Sequence, residues 1–176
     1  MKFRNTLVAA ASALALSALA SSAFAGGTLN ASAVSSVTVV SPTTLTKTQD
    51  MAFGTVVRPS GASGNTTFKL DTSDHVTATG GDGSVVASTT NSAKFSLTTT
   101  PAITFSTNAV LTFAPAGLIN ILAGTPVITG ATGTGPSFNL ASSGSAVMTY
   151  GGQFDVTPTT TPQTYTGTLA VTVTYN

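Results

Sequence analysis

The chain has 176 residues, 41% hydrophobic and only 6% charged, with 17 glycines, 8 prolines and neither cysteine, tryptophan nor glutamate. A formal charge of +1, with the few charges scattered, excludes a basic face for nucleic acid or anionic lipid and an acidic face for cations. Without cysteine, stability has to come from hydrogen-bonded sheet and apolar core, and a surface so poor in charge has to be covered by hydroxyls, amides and backbone.

The first residues, MKFRN, precede an apolar stretch from Thr6 to Ala20 and then SSAFA, in which Ala23 and Ala25 frame an A-x-A cleavage site. This is the pattern of a secretory signal peptide over residues 1–25, too short in its apolar part to span a bilayer, so no integral membrane segment is expected after its removal. Cleavage removes Lys2 and Arg4, leaving Lys47, Arg58, Lys69 and Lys94 against Asp50, Asp71, Asp74, Asp82 and Asp155, a net charge of −1. The signal predicts export, and in a Gram-negative cell that means passage through the inner membrane to the periplasm, the cell surface or the exterior.

Residues 26–44 read as an N-terminal extension and 45–176 as one β domain. In the extension, Leu29, Ala31, Ala33, Val37 and Val39 alternate with mainly polar neighbours, before Ser41 and Pro42 interrupt the pattern. Eleven extended residues reach about 36 Å, a full sandwich strand. Burying Leu29, Val37 and Val39 contributes on the order of 5 to 9 kcal/mol at most.

Further along, the sequence predicts strands at 50–57, 66–70, 75–79, 84–87, 94–98, 102–106, 110–113, 118–122, 126–129, 137–140, 146–156 and 165–175, separated by turns such as PSGASGN, TGGDGS and TGATGTGP. Many short strands with Gly- and Pro-rich turns, and few helix-forming residues, define an all-β chain: an immunoglobulin-like, Greek-key β-sandwich. The last strand alternates without interruption, with Tyr165, Leu169, Val171, Val173 and Tyr175 on one face and threonines dominating the other. Such a strand either lies inside a sheet or offers an open edge to another chain. An alternating extension at the front and a candidate groove at Tyr165 to Tyr175 is the arrangement of strand donation between subunits.

Chemistry is hard to find. His75 is the single histidine, and G-x-S-x-G, phosphate-loop and H-E-x-x-H motifs are missing, so neither an enzyme nor a bound cofactor or metal is expected. Asp71, Asp74 and Asp82 cluster in LDTSDHVTATGGDG, but without the alternating-oxygen spacing of a calcium loop; turn capping is the simpler use.

The stretches DMAFGTV at 50–56, GGQF at 151–154 and YTG at 165–167 leading into VTVTY resemble a secreted bacterial family, domain of unknown function 4402. The same ending is similar to chaperone-usher fimbrial subunits and spore-coat-U-like pilins, which close on a penultimate tyrosine. The resemblance covers roughly residues 45–175 and implies a Gram-negative exported protein with a pilin-like fold and a periplasmic chaperone capping an open groove. Many pilins carry a disulfide, which this chain lacks. Two functions follow: a structural subunit of a fimbria-like polymer that self-associates by strand donation, or a self-contained secreted module for adhesive binding without catalysis.

Overall fold

The computed structural model describes residues 32–37, 39 and 43–176; the cleavage-site residues Ala23 and Ala25, and Leu29 and Ala31 of the extension, lie outside them. The chain divides into two units between Thr38 and Val39, and the β domain belongs to the second. Residues 32–37 carry no strand, and Val34, Val37 and Val39 are exposed. Among the described residues there is no helix, hence none long and apolar enough to cross a membrane.

The domain is a β-sandwich of antiparallel sheets. One sheet has the order β1-β6-β11-β9, formed by Thr44–Gln49, Ala93–Thr98, Ser145–Tyr150 and Val127–Thr129. A second, β4-β3-β12-β8, is formed by Val76–Gly80, Thr66–Leu70, Gly152–Val156 and Ile119–Ala123. The third, β10-β7-β13, joins Phe138–Leu140, Ile103–Ala114 and Thr166–Tyr175, and β2 (Thr55–Val57) pairs with β5 (Ser84–Val86).

Most predicted strands recur within a residue or two, and the differences have local causes. The stretch 146–156 divides at Gly151, where an added Cβ would lie 2.1 Å from the Leu70 carbonyl oxygen; only glycine allows that approach, and the chain passes there from one sheet to the next. The pieces 102–106 and 110–113 fuse into the twelve-residue β7, because its partner β13 runs in unbroken register beside it. The predicted strand at 50–57 is reduced to Thr55–Val57 after Gly54, which has φ +72 and no room for a Cβ beside the Ser88 hydroxyl. Conversely β1 occupies residues for which no strand is predicted, between the extension and the stretch at 50–57, since its partner β6 supplies the ladder that its own pattern does not advertise.

Two apolar clusters fill the interior. One gathers Phe95, Leu97, Phe105, Met148 and Tyr150. The other centres on Phe154, whose ring lies 4.8 Å from Phe53, 5.4 Å from Phe113 and 5.8 Å from Phe68. Met51 and Leu169 pack against both clusters and make them continuous. The buried Asp155 carboxylate accepts hydrogen bonds from Thr67 Oγ1 at 2.6 Å and Asn120 Nδ2 at 2.5 Å, tying β3 to the β8 edge. Truncating Phe154 to alanine removes contacts to three rings at once, and unfolding in urea is expected to show a loss of about 3 to 5 kcal/mol. A loss below 1 kcal/mol would place the weight of the core elsewhere.

Candidate functional site

A cleft of about 960 Å³ lies between the first and last strands of the domain. Its floor is apolar: Phe53, Phe95, Leu111, Phe113 and Phe154, all belonging to or packed against the core clusters. Lys47 and Gln49 of β1 form one rim, and Gly167 to Leu169 of β13 form the other. Core side chains are thus reached from outside along a slot bounded by two strand edges.

The β13 rim has a definite hydrogen-bonding pattern. Its ladder with β7 runs without a bulge from Thr166 opposite Ala114 to Tyr175 opposite Phe105, and one step further Asn176 and Thr104 exchange both backbone bonds, at 3.1 and 3.3 Å. In an antiparallel ladder such pairs alternate, so the even-numbered residues of β13 direct their N–H and C=O groups at β7. The odd-numbered ones, Gly167, Leu169, Val171, Val173 and Tyr175, direct theirs away from it, to the edge that has no neighbour among the described residues. Leu169, Val171 and Val173 are also the residues whose side chains turn inward onto the core. Tyr175 is half exposed, and Tyr165, just before the strand, folds over Gly117 and donates from its hydroxyl to the Thr161 carbonyl at 2.9 Å.

The opposite rim follows the same logic. Thr99 N–H donates to Gly144 O, which fixes the odd residues of β6 as bonded to β11 and the even ones as bonded to β1. Leu45 and Lys47 therefore expose their backbone groups outward, while their side chains share the face of their partners Leu97 and Phe95, the core face. Lys47 pairs with Asp50 at 2.5 Å, and the register slips between Lys47 and Gln49. One end of the cleft is closed by the segment after β12: Arg58 donates to Thr160 O at 3.1 Å, and the buried Thr160 hydroxyl donates to Gly117 O at 3.2 Å.

Of the residues expected to matter, Leu169, Val171 and Val173 pack onto the core, and Tyr165 and Leu169 line the cleft. The β1 rim and the Arg58 latch have no counterpart in the sequence reading. Regular Thr at alternate positions (Thr44, Thr46, Thr48) was the available signal for β1.

A smaller cleft of about 310 Å³ lies against Tyr150, Phe138 and Asn108. The Tyr150 hydroxyl is buried with no hydrogen-bond partner among the described residues, and burial pushes its pKa up; the nearby Thr107 side chain acts in the opposite, weaker sense.

The aspartates of the 71–82 stretch do not converge: among the described residues no three potential ligands form a metal-binding group. Asp71 caps its own turn, Asp82 caps the turn at 60–63, and Asp74 ties its turn to Ser92. Asp71 accepts from the His75 and Ser73 backbones, Asp74 from the hydroxyl and N–H of Ser92, and Asp82 from Ser63 and Ser60. These bonds favour the charged form and hold all three carboxyls below the usual range. His75 is exposed in the same turn.

The chain belongs to the family described as domain of unknown function (DUF4402), whose model matches residues 43–175. No curated protein and no solved structure matches it.

Asp82 has its pKa lowered to about 2, first by the Ser63 hydroxyl and then by Ser60. A carboxyl depressed on folding stabilises the turn above its unfolded pKa near 3.8, and that contribution is lost as pH falls through about 2. Carboxyl-carbon NMR titration should give a midpoint near 2, and Ser63→Ala should raise it; an unchanged midpoint would remove the assigned cause.

Proposed function

We propose that this chain is an exported structural subunit of a fimbria-like surface polymer, in which residues 29–39 of one copy lie as a strand in the cleft of the next. The observation that carries this reading is the open slot itself. Its floor is largely core phenylalanine, and one rim is the first part of β13, a ten-residue strand whose outer edge has no neighbour among the described residues. An apolar floor reached from outside favours an apolar cover, and an unpaired edge is a template; a strand with one apolar face answers both.

The extension has the required chemistry: Leu29, Ala31, Ala33, Val37 and Val39 on one face, no charge anywhere, and a length of about 36 Å. The exposure of Val37 and Val39 in the single chain is in keeping with a segment whose partner is another molecule. A pilin-like, immunoglobulin-type connection of the sheets and a periplasmic chaperone that covers the cleft before assembly belong to the same reading.

One observation favours the second reading, a self-contained secreted module with adhesive binding and no catalysis. Only residues 40–43 separate Val39 from β1, a length suited to a hairpin, so the extension is within reach of its own domain.

A denaturing gel of protein sheared from the native surface separates the two. Strand-exchanged subunits should give a ladder without heating that collapses to one band on boiling, and deletion of residues 29–39 should leave a single band in both lanes. One band in both lanes for the full chain would overturn the polymer and leave the self-contained module.

A further inference from the structure

We infer that the two rims of the cleft are unequal: β13 is the edge that receives the incoming strand, and β1 is closed to strand addition by Lys47. This deepens the polymer reading and rests on it.

Both rims expose the backbone of residues whose side chains face the core, so both could in principle extend a sheet. They differ in what an added strand would meet. Along β13 it finds Gly167, Leu169, Val171, Val173 and Tyr175, uncharged, without proline and without a bulge. Five residues at alternate positions offer five N–H donors and five C=O acceptors in one straight row. Along β1 the row contains Leu45 and Lys47 before the register slips at Thr48.

At Lys47 an ammonium group stands on the core face of the edge strand, opposite Phe95, held out toward Asp50 by a 2.5 Å ion pair. A strand laid along β1 would cover that face, separate the pair or bury it, and bring no acidic residue of its own, since the extension has none. Inward-pointing lysines and irregular register are established means of keeping an edge from being extended. The pair is largely exposed and contributes little to stability as it stands, so its effect falls on the species that would cover it.

Closing β1 has a direct result for the competition between the two readings above. A hairpin through residues 40–43 would lay the extension along β1, because that is the edge next to the turn. With β1 closed, β13 is the open edge left for the extension, and in the polymer reading that edge belongs to another copy.

Proline separates the rims, because at an outward-facing position of an edge strand it removes only the N–H that an added strand would use. Val173→Pro should keep a cooperative melt while the unheated ladder falls by at least about tenfold, the effect of losing a bond and meeting a ring at the new interface. Val173→Ala, which keeps the N–H, controls for the side chain and should retain the ladder. Lys47→Pro should leave the ladder as in the unsubstituted chain. If Val173→Pro does not fold, Tyr175→Pro, at a half-exposed side chain, takes its place, as Leu45→Pro does for Lys47→Pro.

A ladder that survives the β13 prolines, or is lost with the β1 proline in a folded subunit, overturns the inequality of the rims while leaving the polymer standing. Absence of any ladder in the unsubstituted chain overturns both.

Discussion

The ring of Phe154 is the contact on which the sandwich turns. It stands on β12, in the sheet with β3, and meets Phe113 of β7 from another sheet, Phe68 beside it, and Phe53 from the segment before β2. Offset and edge-to-face aromatic packing of this kind holds the two layers at a defined spacing, which a chain without disulfides has to secure through side chains. The cleft is the outer margin of the same aromatic group, so core and site are continuous.

Polar chemistry is used sparingly and locally. Asp71 is satisfied by backbone amides of its own turn, Asp74 and Asp82 by serine hydroxyls and amides of more distant segments, and the buried Asp155 by a threonine and an asparagine on the neighbouring strands. None of these groups is paired with a cation. The ion pair between Lys47 and Asp50 sits on the rim of the slot, where a charge affects what can approach.

How much of this could be read beforehand depended on whether a strand carries its own pattern or borrows its partner's. β13 was legible because Leu169, Val171 and Val173 alternate with residues that face water, and nothing interrupts them. β1 was not: on its core face stand Leu45 and Lys47, so a period-two apolar signal never develops, and Pro42 just ahead suggests a linker. β7 read as two pieces because Thr107 and Asn108 break the apolar rhythm, and only its pairing with β13 shows that they remain in the ladder. The glycines at 54 and 151 were visible as letters, but the neighbours that make them necessary, Ser88 and Leu70, are distant in sequence. One rim of the slot was therefore within reach of sequence reasoning, and its floor and second rim were products of tertiary pairing.

On β13 the residues that pack the core are also the ones whose backbone faces the open edge, while Thr168, Ala170, Thr172 and Thr174 spend their backbone groups on β7 and leave their side chains in solvent. The solvent face of the strand is thus uncoupled from both tasks. It can drift in sequence without altering either the packing beneath or the row of donors and acceptors along the rim.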